Sequence, residues 1–141
     1  MRRELQPPGD REVFQLDLPL FEADFDENGH VNNVVYVRWL QDAGTAHWLA
    51  RFDEATRANW SWVALRHEVD YFRPLLPGAR ARARTWVGTP QGPRFDRMVR
   101  IEDDQGRLCA QGVSTWCLVD AASMRPHRIP AEMLTAFQPT Q

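Results

Sequence analysis

The stretch Asp24-Phe25-Asp26-Glu27-Asn28-Gly29-His30-Val31-Asn32-Asn33, running straight into the apolar segment from Val34 to Ala50, decides how this chain is read. Residues 24–30 concentrate three carboxylates, an amide and an imidazole, and Gly29 permits a tight or positive-φ turn. Asn32 or Asn33 suits an N-cap, and the run from there to Leu49 is long enough for four helical turns or more. Arg38, Gln41 and Asp42 are its few polar positions. Tyr36, Val37, Trp39, Leu40, Ala43, Ala46 and Trp48 leave apolar surface nearly all round, so the helix is expected to be buried.

Working outward, the alternation of Phe14, Leu16 and Leu18 with Val13 and Gln15 predicts a first strand from Glu12 to Pro19. After the helix come four strand-like runs and no second long helix: Trp60 to Phe72, Ala79 to Val87, Arg94 to Glu102, and Leu108 to Val119. Turn signals separate them at Arg73 to Gly78 and at Asp103-Asp104-Gln105-Gly106. Pro130 suits the first turn of a short final helix. One strand, one helix and a four-stranded meander predict an α+β fold in which an antiparallel sheet wraps a single helix, with Ala79, Ala81 and Ala83 allowing close approach. A lone helix leaves Trp60 and Trp62 partly uncovered, which predicts a homo-oligomer, dimer or tetramer.

The 141 residues read as one domain, with residues 1–10 a loose tail. Seventeen basic against nineteen acidic side chains give 17 − 19 = −2, scattered and not blocked, which argues against nucleic acid as partner. All seventeen basic residues are arginine, which excludes Schiff-base chemistry, pyridoxal phosphate attachment and a P-loop lysine. No stretch approaches the ~18 apolar residues of a membrane span, and no secretion signal opens the chain, so it reads as cytoplasmic. Cys109 and Cys117 on one regular strand would lie about 26 Å apart, too far to bridge, and neither they nor the histidines have zinc-site spacing. No metal and no cofactor are expected.

The 24–30 loop is where the sequence concentrates chemistry. Asp24 and Asp26 can serve merely as loop-forming or capping residues, with His30 a structural contact. Against that, the polar side chains precede the helix, whose unpaired N–H groups suit a carbonyl oxygen gaining negative charge.

The motif Asp24-Phe25-Asp26-x-x-Gly29-His30-Val31-Asn32-Asn33-x-x-Tyr36 resembles the signature of hotdog-fold thioesterases of the 4-hydroxybenzoyl-CoA thioesterase type. Val69-Asp70-Tyr71-x-Arg73-Pro74 with Gly78, and Arg125-Pro126-x-Arg128-Ile129-Pro130, extend the similarity over nearly the whole chain. The resemblance implies a hotdog fold and hydrolysis of an acyl thioester, with Asp26 as the catalytic carboxylate. Those enzymes generally carry an aliphatic residue at the place of His30. Asp26-x-Asn28-x-His30 is in that respect closer to plant acyl-carrier-protein thioesterases, which implies that Asp26, Asn28 and His30 act together. The glutamate those enzymes use after the helix has its nearest equivalent in Glu68, within Arg66-His67-Glu68.

On this resemblance the expected substrate is an acyl-CoA or acyl-carrier-protein thioester, contacted by Gly29, Val31, Asn33 and Tyr36. Asp26 would act as general base or as nucleophile, with the Gly29 and His30 N–H groups or the first amides of the helix stabilising the oxyanion. Arg125 and Arg128 either bind coenzyme A phosphates or form a solvated cluster. Arg80, Arg82 and Arg84 read as a solvent-facing or subunit-contacting row, Asp42 as an acyl-site or structural group, and His47 and His67 as packing residues. The rival function is a catalytically silent acyl-CoA-binding hotdog module; a hotdog dehydratase ranks below it.

Overall fold

The computed structural model describes residues 3–139. Strand β1 (Phe14–Leu18) leads through a 3₁₀ turn at Glu22–Asp24 into helix α1 (Asn33–Arg51) and a four-residue helix α2 (Glu54–Arg57). Strands β2 (Trp60–Tyr71), β3 (Ala81–Val87), β4 (Arg94–Asp103) and β5 (Leu108–Asp120) follow, and helix α3 (Ala131–Thr135) ends the order. The strands form one antiparallel sheet in the order β1-β3-β4-β5-β2. This is the hotdog arrangement that the resemblance implied. α2 had no counterpart in the sequence reading, since four residues are too few for periodicity to register.

Alternation sorts the sheet into two faces. Leu16 pairs with Ala83, Ala83 with Ile101 and Ile101 with Ala110, so these four share the face that packs on α1. Ala81 and Ala83 are buried there with Tyr36, Trp39, Leu40 and Ala43 of the helix. At Gly112 an added Cβ would stand 2.6 Å from Leu40 Cδ1, so the helix seats a leucine where any side chain on β5 would collide. A second cluster of Val87, Phe95, Leu118, Ile129, Met133 and Phe137 fills the sheet's other end under α3.

The helix is not enclosed on all sides as its composition suggested. Val35, Tyr36, Trp39, Leu40, Ala43 and His47 are buried, whereas Val34 and Leu49 are 73% and 54% exposed. A single sheet reaches one face of a helix, and the apolar residues on the other face stay open in one chain.

The opening residues, expected to be loose, are tied to the outer face of the sheet. Leu5 N–H donates to Gln111 Oε1 at 2.8 Å, Arg100 Nη1 to Leu5 O at 3.0 Å, and Gln111 Nε2 to Arg3 O at 2.9 Å. On the same face Arg82 and Arg84 converge with Arg100 on Glu102, so two of the three row arginines hold a buried carboxylate. Cys109 and Cys117 are free and buried.

Candidate functional site

Asp24 and Asp26, two residues apart, have opposite fates. Asp24 is buried and bound by Arg38 of α1 through two bonds of 3.1 and 3.0 Å. It also accepts from Phe21 N–H, while its own carbonyl accepts from Asn32 N–H at 2.7 Å. The Arg38 guanidinium, ahead of every other influence, holds the Asp24 carboxyl below its ordinary range. Asp24 therefore fastens the loop to the helix. Sequence spacing does not reveal Arg38 as its partner, because the pair meets only when the loop folds back across the helix face.

Asp26 is exposed and organises the loop tip. Its Oδ1 accepts from the backbone N–H of Asn28 at 2.9 Å and of His30 at 3.1 Å. Asp26 N–H donates to His30 O, and Gly29 N–H, from a backbone at φ +73°, donates to Asp26 O. Both contacts to the carboxylate fall on one oxygen; Oδ2 makes no hydrogen bond among the described residues. Asn28 and His30 side chains are exposed beside it. Asp26, Asn28, Gly29 and His30 are thus brought together.

Most backbone amides near the helix mouth are already bonded. Gly29 and His30 N–H are taken by Asp26, Val31 N–H by Leu75 O, Asn32 N–H by Asp24 O, Val34 N–H by the Asn32 side chain and Val35 N–H by Asn32 O. Asn33 N–H is the one amide from 29 to 35 without an acceptor among the described residues. The Gly29 and His30 amides, expected to face a substrate oxygen, are consumed in holding the loop. What remains is the first helical amide, at the positive end of a 19-residue helix.

The other expected contacts are dispersed. Val31 is in the core. Tyr36 is 3% exposed, its ring edge-on to Trp39 and Tyr71, and its hydroxyl is pushed up to about 12, chiefly by burial. Glu68 projects from β2 on the face away from α1, paired with Arg66 at 2.9 Å, while Tyr71, three residues on, turns inward and bonds Asn33 O at 3.3 Å. Within one chain, then, Glu68 and Asp26 lie on opposite sides of the sheet. Arg125 and Arg128 are exposed after β5, where His127 packs on Trp60, at the far end of β2 from Asn33. Asp42 is exposed, and His47 is fully buried. No three or more His, Cys, Asp or Glu side chains among the described residues are placed to hold a metal ion, and no helix among them is long and apolar enough to cross a membrane.

Exposed apolar side chains crowd the helix mouth. Tyr71 reaches Asn33, and Leu75 O accepts from Val31 N–H, which brings Val34, Tyr71, Phe72 and Leu76 to this end; they are 73%, 48%, 41% and 51% exposed. The Asp26 loop therefore borders an uncovered apolar surface.

Solved structures share the fold at low identity. SAV2348 of Staphylococcus aureus, described as a hypothetical protein in complex with CoA, superposes with a TM-score of 0.78 at 14% identity, over 96% of this chain and 92% of that one. Slr0204 of Synechocystis, a 1,4-dihydroxy-2-naphthoyl-CoA thioesterase, gives 0.76 at 15%, over 89% and 96%. A Thermus thermophilus thioesterase complexed with coenzyme A and Zn gives 0.76 at 21%, over 89% and 90%. No curated protein matches. The family pattern of the Thioesterase-like superfamily matches residues 22–137, from the loop through the final helix, and the chain belongs to that superfamily.

Proposed function

We propose that this protein hydrolyses acyl-CoA thioesters at the helix mouth, with Asp26 as the reacting carboxylate. The observation that carries the reading is the division of labour at that carboxylate: two backbone N–H groups hold Oδ1, Oδ2 is open, and the first free helical amide follows on Asn33. As general base, Oδ2 takes a proton from water as the water oxygen adds to the thioester carbonyl. Asn33 N–H receives the resulting oxyanion, and collapse expels the thiolate, which regains the proton. As nucleophile, Oδ2 adds to the carbonyl itself, the thiolate leaves, and water then cleaves the mixed anhydride. Asn28 and His30 orient the water in either route.

The site is completed by a second copy. β2 is a twelve-residue edge with Val63 and Leu65 exposed, an unpaired template that β1, with five residues, is not. Two-fold antiparallel pairing of β2 with itself sets the Trp60 end of one chain beside the Tyr71 end of the other. Arg125 and Arg128 of one subunit then approach the other's Asp26 loop, where guanidinium groups suit the phosphates of coenzyme A. The same contact covers Val34, Tyr71 and Phe72.

The test is Asp26→Asn. The amide oxygen still accepts both N–H bonds, so the loop is retained while turnover over a panel of acyl-CoA esters falls by about three orders of magnitude or more. Retained kcat refutes the assignment, and wild-type inactivity across the panel leaves the binding-only module.

A further inference from the structure

Far along α1 from the Asp26 loop of the same chain, a half-open aromatic pocket is lined by Gly44, Thr45, Trp48, Trp62, Trp116 and Arg97. Asn33 and Thr45 are twelve residues apart on the helix, about 18 Å at ~1.5 Å per residue. Its charge is what sets this pocket apart. Arg97 is 3% exposed and pairs with no carboxylate among the described residues. Its Nη1 donates to His47 Nδ1 at 3.0 Å and to Thr85 Oγ1 at 3.1 Å, while Nε and Nη2 make no bond among those residues.

The neighbours do not neutralise it. His47 Nδ1 accepts from a guanidinium, so the ring's one proton is on Nε2, donated to Glu12 Oε1 at 2.6 Å, and the imidazole is neutral. Glu12 is claimed in turn by Arg51 at 2.6 Å. Two guanidiniums against one carboxylate leave 2 − 1 = +1 in the cluster. Burial pushes Arg97 down to about 9, still cationic at neutral pH. A buried cation without a counter-ion is costly, and its retention calls for an anion from outside.

The walls narrow the class of anion. Trp62 stacks on Phe95 with centroids 4.8 Å apart and meets Trp48 edge-on at 5.7 Å. Arg97 itself lies over the Phe95 and Phe137 rings. Trp116 Nε1–H is itself buried and has no acceptor among the described residues. At Gly44 a Cβ would lie 3.3 Å from Arg97 Nε, so the missing side chain gives the guanidinium its place against the helix. Flat aromatic walls select a planar ring, and the uncommitted N–H groups of Arg97 select a carboxylate on it.

We propose that this pocket binds a free aromatic monocarboxylate, its ring between Trp48, Trp62 and Trp116 and its carboxylate on Arg97. The site does not depend on the thioesterase reading, because binding is measured without turnover.

The test is calorimetric titration of the full chain with benzoate and with benzamide, its neutral counterpart. Wild type is expected to bind benzoate about tenfold or more tightly than the amide. Arg97→Met should erase that preference. Thr45→Trp, a change at an exposed residue of the rim, should block the opening and weaken benzoate about tenfold or more with the fold unchanged. Equal wild-type affinity for acid and amide overturns the proposal, as does benzoate binding that survives Thr45→Trp; should Arg97→Met not fold, these two arms decide.

Discussion

Asp24 and Arg38, fourteen residues apart, meet in two hydrogen bonds of 3.1 and 3.0 Å that fasten the 24–30 loop to the first turns of α1. Arg38 is 43% exposed, so solvent screens the pair, yet the carboxylate is buried and also serves Phe21 N–H. Asp24→Ala is expected to cost about 1–3 kcal/mol in urea unfolding and to lower thioesterase activity through a loosened loop. Because Arg38 lowers the folded pKa of Asp24 below its ordinary 3.8, the stabilisation is full above that value and is lost as pH falls through the folded one. Unchanged stability in Asp24→Ala would show that the clamp is ornamental.

Asn33→Pro isolates the free amide. Asn32 caps the helix with φ −61° and ψ 137°, a conformation that a following proline accepts, and Asn33 is the first helical position, where proline is favoured. The substitution deletes one N–H that no described residue uses. Thermal stability should hold within about 1 kcal/mol, whereas kcat on acyl-CoA should fall about 10²–10³-fold, as when one oxyanion donor is removed. An unaltered kcat would move the oxyanion contact elsewhere.

His47 predicts a pH dependence of folding. Burial first, then Arg97, pushes its pKa from 6.5 to about 4. The unfolded chain therefore binds the extra proton between those values, and stability rises with pH across that window, by on the order of 3 kcal/mol. Urea unfolding from pH 4 to 7 should show the rise in wild type and a flatter profile in His47→Gln. The same slope in both would assign the effect to another group.

A charge on the long open edge tests the assembly. Leu65, 50% exposed at the bulge between Ala64 and Arg66, is changed to lysine. Light scattering should then report the mass of one chain where wild type gives a multiple, and turnover should drop with it, since in the proposed assembly Arg125 and Arg128 are supplied across the contact. A single-chain mass for wild type would count against the shared site.

Sheet, helix and loop were legible because each rests on local pattern: alternation in β1, β3 and β4, an asparagine cap, a glycine at positive φ. The buried polar network was not. Arg97 reads as one more charge in an alternating strand, and its significance arises from His47, fifty residues away, turning a lone pair toward it. The Asp26 loop was found, but not which amides it consumes, since that depends on Leu75 O and Asp24 O arriving from outside the motif. The tethering of the opening residues is not legible locally, because the bonds that Leu5 N–H donates to Gln111 and that Arg3 O accepts from it span 106 and 108 positions and leave no trace in local composition.

Leu40 filling the void above Gly112 acts as a detent. With 2.6 Å between that methyl and the nearest possible β-carbon, the helix can neither slide nor roll without losing its seat, so the height of the Asp26 loop above the strands is indexed from the middle of the molecule. Diversification of substrate range on this scaffold must therefore come from exchanging rim side chains, because the ruler beneath them has only one notch.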